Sequence, residues 1–535
     1  MTPQSTPEAA DRMPAFNLID EPWVPVRFHD GSTEELGLLA LFEHAQGIEG
    51  LAENSPPNLV ALHRILLAIL HRALTRQLGR WTDRDRAHWF ANGLPAGAVA
   101  DYLAHWRDRF WLFHPVHPFM QVATLATADE TRDKRKPWTQ VSLASANGNT
   151  PVVFDHAIDS QPHAIAAATA VRHLLGFLQF TPGGLVKVFR SADKGGPLAN
   201  AAAAIPMGDT LLQTWLLALH PPVRDVDHDQ PAWEKPAITL PQLLAEPSPA
   251  TGSCDRYSRI SRAVLLERVS NEEPAAVQWL RFGAGLALAD DENAPDPMTS
   301  FRAGSEGLVR LGFTDARATW RDLGALLPDS TGKLAQPAAV LGWAANLQFA
   351  SGQSDRDLPV LLAGVSAERG RPAKLLRWRT ERYQLPSASL CSADISAAVR
   401  DQLQRCDTLF ASLRTLATEL LALSMPDPRS KDTRARARAV LDAGPFNTTY
   451  FASAERRLPQ LLKLVGAADL DAAHAAWSAT LADAATQAWA AARGMLGNSA
   501  AALRADAITH GRFLALTRPL RPAITTPPQA EEATT

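Results

Sequence analysis

The stretch SPPNLVALHRILLAILHRAL, residues 55–74, decides the interior of the fold. Ser55 ahead of Pro56 and Pro57 marks a helix start, because proline in the first turn gives up only an N–H that the helix would not use. Leu59, Leu62, Leu66, Ile69, Leu70 and Leu74 then recur at steps of three and four until Gly79 closes the helix. An amphipathic core helix is predicted. His63, Arg64, His71 and Arg72 interrupt the apolar run well short of the roughly 20 residues that a membrane span requires, so no spanning segment is expected. A buried helix of this length needs a large body around it, and 535 residues supply three or four domain-equivalents at about 150 each.

On the N-terminal side, FNLIDEPWVPVRF at 16–28 mixes β-branched and aromatic residues with two prolines, which predicts an edge strand or short hairpin. Beyond the core helix, helices are expected over Asp83–Phe90 and Ala96–Phe110. HPVHPFMQ at 114–121 is stiffened by its prolines into an extended connection. Thr131–Asn149 is polar and basic and reads as a mobile surface loop. Helical periodicity over Pro162–Leu178 stops at Thr181-Pro182-Gly183-Gly184. A loop bearing Lys187, Arg190 and Lys194 follows, then a helix over Asp209–Leu219. From Pro221 to Pro386, prolines, glycines and short apolar runs predict a mixed α/β body. After Ser387 alanine and leucine dominate, and patterns over 395–423, 434–441, 451–464 and 470–496 predict four antiparallel helices. The fold class is therefore α+β, with a large mixed α/β N-terminal domain (14–386) followed by a C-terminal four-helix bundle (387–521). Polar tails at 1–13 and 522–535 are expected to be disordered.

Lys and Arg number 53 against 56 Asp and Glu, a net charge of −3, so a wholly basic nucleic-acid coat is excluded and any nucleic acid must meet a local patch. Three cysteines, none in a CxxC pair, exclude cysteine-rich zinc modules and disulfide frameworks. With a polar N-terminus lacking an apolar run, this predicts a cytoplasmic protein. Reactive constellations are missing. FGAGL at 282–286 begins like a dinucleotide fingerprint but carries Leu288 where the third glycine belongs. Gly332-Lys333 lacks the rest of a P-loop, and Ser366 lacks the second glycine of a nucleophile elbow. His114 and His117 read as packed or capped histidines. Asp225, Asp227, His228 and Asp229 suit a hard divalent ion chemically, against the alternative of a solvated loop between prolines. No catalytic residue, metal or cofactor is predicted.

Two regions instead join cations to flexible backbone, the combination that follows a phosphate chain. The first is Lys134, Arg135 and Lys136 together with the Gly183-Gly184 loop and its Lys187 and Arg190. The second is GVSAERGRPAKLLRWR at 364–379, where Gly370 and Pro372 predict a tight turn between extended arms with Arg369, Arg371 and Lys374 at its tip. Such a tip can enter a groove or wedge a base step, with proline as a stiff insert. The alternative is a solvated surface hairpin.

FNLIDEPWVPV at 16–26, SPPNLVALHRILLAILHRAL at 55–74, HPFMQV at 117–122 and NGNTPVVFDH at 147–156 resemble landmarks of the CasA family, the large subunit of the type I-E CRISPR Cascade surveillance complex. GDTLLQTWLLAL at 208–219, DPM at 296–298 and ATWRDLGALL at 318–327 continue the resemblance in order. The resemblance implies a subunit without catalysis of its own that recognises the PAM in duplex DNA largely from the minor groove. It further implies help in opening the crRNA-guided target and a docking surface for the helicase-nuclease. Its partners would be the other Cascade subunits, the crRNA near its 5′ handle and target double-stranded DNA, with no membrane. Carried over by position, the family's glycine loop falls on Gly183 and Gly184, and its wedge hairpin on Arg369, Arg371, Pro372, Ala373 and Lys374. Pro372 stands where some relatives have glutamine. The loop toward the crRNA handle and the neighbouring subunit falls on Lys134 to Phe154, with Asn149, Val153 and Phe154 as its anchors. Some relatives have a cysteine cluster where this chain has only Cys254, so a bound zinc is not expected. The rival readings are a pure assembly scaffold and a metal-dependent hydrolase built on Asp225 to Asp229.

Overall fold

The computed structural model describes residues 14–143, 159–184, 186, 188–191, 193–223, 227–269, 274–291, 294–315, 317–368 and 371–521, with the backbone alone over 367–376. The predicted tails, Asn149, Val153, Phe154, Lys187, Arg369, Gly370 and Asp225 lie outside the described residues. The chain divides into two compact units. One comprises residues up to 319 with 331–390, and the other comprises 320–330 with the residues from 391 onward.

In the first unit the helix Pro56–Leu78 runs through the core and packs on the helices Ala98–His105, Ala167–Phe180 and Ser253–Tyr257 and on the strand Leu358–Glu368. It is long and apolar enough to cross a membrane, yet nearly all of it is buried inside this unit. Arg64 and Arg72 are buried rather than solvated, because each meets a counter-charge from far along the chain, whereas Arg76 near the helix end stays exposed. Arg64 grips Asp296 with both guanidinium nitrogens at 2.8 and 3.1 Å. Arg72 holds Glu234 at 2.5 and 2.8 Å, and the Tyr102 hydroxyl donates to the same carboxylate at 2.6 Å. Burial of such charges is tolerable only with this degree of pairing.

Small antiparallel sheets make up the rest of the β structure in this unit. Val24–Phe28 is flanked by Thr33–Leu36 and Ile48–Leu51, and Ala15–Asn17 pairs with Trp111–Phe113, so the predicted N-terminal β structure is present. The long strand Ala276–Ala284 pairs with Arg262–Arg268, Lys136–Pro137 and Ile165–Ala166. A third group joins Ala202–Pro206, Leu358–Glu368 and Arg371–Leu385.

The second unit is helical, with long helices Ala393–Leu423, Leu470–Gly494 and Ala500–Thr517 and shorter ones between. The segment expected as one helix over 451–464 is two, Phe446–Glu455 and Leu458–Gly466, because Pro459 cannot donate within a helix and starts a new one instead. Ala500–Thr517 was not anticipated. Its buried stripe is Ala502, Ala505, Thr509, Phe513 and Thr517, too small and polar to register as hydrophobic periodicity. Trp489 stacks on Phe513 with centroids 4.8 Å apart, and Phe410, Tyr450 and Phe451 form an aromatic cluster. Trp320 lies edge-on to Trp477 at 6.4 Å, which ties the segment 320–330 into this unit.

Candidate nucleic-acid interface

The glycine loop leaves the helix Ala167–Phe180 and is closed at its neck by a bridge between Gly184 and Asp193, with N–H to carbonyl distances of 3.0 and 2.9 Å. A side chain at Gly183 would put its Cβ 3.1 Å from the Gly195 amide, so this glycine permits close backbone approach inside the neck. Gly184 differs. A Cβ there would meet nothing within 4 Å, and the residue is exposed. With its N–H and C=O both bonded to Asp193, it presents an unobstructed Cα on the outer side.

Beneath the neck sits a buried carboxylate. Asp193 accepts from the Arg262 guanidinium at 3.0 Å, from Arg190 at 2.9 Å, from the Lys194 amide at 3.1 Å and from the Gly285 amide at 3.2 Å. Arg262 also donates to the carbonyls of Pro182 and Lys194, so both sides of the loop are sewn to the start of the strand Arg262–Arg268. Arg190 was expected to face DNA; in the structure its guanidinium turns inward. Its side chain is only 16% exposed, and its two terminal guanidinium nitrogens go to Asp193 and to the Ala245 and Gly285 carbonyls. It belongs to the scaffold because Asp193, the carboxylate it pairs with among the described residues, is buried. Lys194 remains on the surface, 2.8 Å from Asp290. The incomplete dinucleotide fingerprint is explained here too: Gly283 lies under the Phe189 ring and Gly285 against the Ile260 and Arg262 backbone, where a Cβ would collide. These glycines serve packing.

The strand Ala202–Pro206 that follows the loop pairs with the first arm of the predicted hairpin, from Gly364↔Ala202 to Val360↔Pro206. Past Gly364 and its cross-strand partner Arg379, the two arms continue paired, among the described residues, only with each other. The hairpin thus leaves the sheet where the glycine loop enters it. The prediction placed Arg371 and Pro372 in the turn. Instead Arg371 is already in the ladder opposite Glu368, while Ala367 pairs with Leu375, so Pro372, Ala373 and Lys374 have no counterpart on the first arm. Proline supplies no ladder N–H, and a bulge is where a strand accommodates that. Near the base, Arg379 donates to the Thr314 and Arg317 carbonyls and lies over the Phe313 ring, holding the second arm to the body. Arg377, 62% exposed and 2.8 Å from Asp315, and the partly exposed Trp378 present a cation and an aromatic face beyond the residues expected at the tip. Their adjacent placement in the alternation Arg377-Trp378-Arg379 was the available signal.

Lys134, Arg135 and Lys136 are exposed, with Arg135 reaching Glu267 at 2.7 Å. Part of the segment expected as a mobile loop is packed: Lys136 pairs with Leu280 and Pro137 with Trp279, and Trp138, Thr139 and Val141 are buried. Trp138 donates to the His163 carbonyl at 2.9 Å. One aromatic anchor outweighs a polar composition. Leu280 is four residues from Ala284, about 14 Å along an extended strand, so the basic segment and the neck of the glycine loop hang on one element.

The acidic cluster has other work. Asp229 accepts from the Cys254 and Asp255 amides at 2.9 Å each, capping the helix Ser253–Tyr257, and the exposed Asp227 lies 3.7 Å from Arg76. His114 accepts from the Val116 and His117 amides and thereby forms a local turn. Ser366 is buried within the hairpin, 3.4 Å from the Arg377 carbonyl.

Residues 17–488 match the family of the CRISPR-associated protein Cse1. The chain is 32% identical over 502 residues to the CRISPR-associated protein CasA/Cse1 of Thermus thermophilus, covering 92% of this chain and 95% of the relative. The solved structure of Thermus thermophilus CasA superposes with a TM-score of 0.79 at 30% identity, over 95% of this chain and 100% of that one. A chain of a solved CRISPR RNA-guided surveillance complex shares the fold at 21% identity, with a TM-score of 0.73 and coverage of 94% and 100%. Matched over most of its length by the family and almost end to end by a relative, this chain belongs to the CRISPR-associated Cse1 (CasA) family.

Proposed function

We propose that this chain is the non-catalytic large subunit of a type I-E Cascade surveillance complex, where it recognises the PAM in duplex DNA. In that role it assists opening of the crRNA-guided target and offers a docking surface to the helicase-nuclease. Membership of the Cse1 family carries the reading. A same-fold chain solved within a CRISPR RNA-guided surveillance complex supports the assembly with crRNA and other subunits. The geometry adds a division of labour. Gly184, with no side chain, lets the loop approach the minor groove closely, and because that groove distinguishes A·T from G·C more than one sequence from another, several PAM variants are accepted. The bulged arm bearing Arg371, Pro372, Ala373 and Lys374 acts as the wedge beside it. Lys134, Arg135 and Lys136 face the crRNA handle and the neighbouring subunit. Arg190 acts indirectly, by holding the loop. Target sequence is read by guide pairing, as in other RNA-guided effectors.

The test is duplex binding by the reconstituted complex. Arg371→Ala with Lys374→Ala is expected to weaken binding and to lower the salt slope by about 1.8, at about 0.9 per phosphate contact. Gly184→Asp, which meets no steric obstacle within the protein, is expected to abolish PAM discrimination through charge at the groove. Unchanged affinity, slope and discrimination in these variants would favour the assembly-scaffold reading, in which the same loops touch only protein and crRNA.

A further inference from the structure

The helix Lys431–Ala443 in the second unit buries Thr433, Ala437 and Leu441, and it packs against Ala393–Leu423. At about 100° per residue, Lys431, Arg434 and Arg438 fall within about 60° of one another on one exposed flank, rising by about 4.5 and 6 Å along the axis. Arg436 lies on the other flank and Arg429 just before the helix, and all five cations are exposed. Asp442, one turn beyond Arg438 on the same side, is hydrogen-bonded by Arg414 at 2.9 Å and by Asn447 at 3.3 Å, its charge favoured by both Arg414 and Arg438, and Asp432 stands in the first turn beside Lys431. Among the described residues, none of the five has a carboxylate within salt-bridge distance. Exposed Ala435 and Ala439 beside the row keep it low.

This arrangement works against the isolated helix. Arg434 and Arg438 repel each other at i, i+4, and Lys431 and Arg434 sit at the helix's positive end. A polyanion laid along the flank relieves both. A row of spaced cations also suits a chain of phosphates better than one compact anion.

We propose that the Lys431–Arg434–Arg438 flank, with Arg429 and Arg436 beside it, is a second nucleic-acid surface that binds phosphate backbone without reading sequence. It rests on the reading of this chain as a subunit that handles nucleic acid, but it uses none of the residues assigned to PAM recognition. The full-length chain is titrated with a mixed-sequence oligonucleotide lacking a PAM, single-stranded in one arm and duplex in the other, between about 50 and 200 mM salt. In the triple variant Lys431→Gln, Arg434→Gln, Arg438→Gln, the salt slope falls by about 2 on single strand, at about 0.7 per contact, or by about 2.7 on duplex, at about 0.9. The arm that changes more identifies the source. Affinity at the lowest salt falls at least tenfold, while circular dichroism and melting temperature hold, because these side chains are exposed. Equal affinity and slope for variant and parent in both arms would overturn the proposal. PAM discrimination by the reconstituted complex is expected to survive the triple variant, so loss of discrimination on Gly184→Asp and loss of salt slope here report on different surfaces.

Discussion

Asp193→Ala removes the carboxylate on which the glycine loop closes. The side chains of Asp193 and Arg262 are 1% and 2% exposed, so the variant leaves a guanidinium charge buried beside a second, Arg190, with no counter-ion between them. Breaking a buried pair by deleting one partner costs about 3–5 kcal/mol. Arg262 keeps the carbonyls of Pro182, Lys194 and Ser261 as acceptors, which places the loss toward the lower end, about 3 kcal/mol. With a urea m-value of about 3 kcal/mol/M, the unfolding midpoint falls by roughly 1 M. The measurement is urea denaturation followed by tryptophan fluorescence, with duplex binding by the reconstituted complex in parallel. Binding is expected to fall along with stability, because the Gly184–Asp193 neck opens once Arg262 and Arg190 repel each other. An unchanged midpoint would refute the electrostatic account of the loop, and an unchanged affinity at full occupancy would show that the neck does not position a binding surface.

Two further outcomes follow from the buried charges. Burial lowers the His63 and His173 imidazoles to about 4, so both stay neutral in the folded chain while the unfolded chain takes up their protons near pH 6.5. Their contribution to stability is therefore complete above about pH 6.5 and is lost as pH falls toward 4, about 2 kcal/mol per histidine by pH 5. His63→Leu is expected to flatten the acid limb of a stability–pH curve by about one proton, and an unaltered slope would contradict the assignment. Asp296→Asn, which leaves Arg64 inside the core without a carboxylate, is expected to cost about 3–5 kcal/mol. Arg64→Met with Asp296→Leu should recover most of that loss, and a double variant as unstable as the single would show that packing rather than charge is at fault.

The core helix was legible because its signals are local: prolines in the first turn, leucines at helical spacing, a closing glycine. What Arg64 and Arg72 do inside it was not. Their partners Asp296 and Glu234 lie 232 and 162 residues away, and no window contains both members. The same distance hid the role of Arg190, which as a sequence is one more cation in a glycine loop and in space is a strut between Asp193 and the Gly285 carbonyl. Composition misled over residues 136–141, where polar neighbours obscured a buried tryptophan and a strand of two residues whose pairing is supplied entirely by Ala276–Ala284. The hairpin arms were legible from their residues, but their register was not. Pro372 signals a break in regular pairing without saying on which side of the turn it falls, and the ladder puts it on the second arm.

The most direct measurement is photo-crosslinking from the loop itself. A benzoylphenylalanine at Gly184 points into open space, so it reports on what approaches without disturbing the neck. In the assembled complex it is expected to crosslink to the PAM-bearing segment of a target duplex, with yield falling when that segment is mutated. Crosslinks confined to crRNA or to neighbouring subunits, and indifferent to the PAM, would contradict the assignment of this loop to duplex DNA.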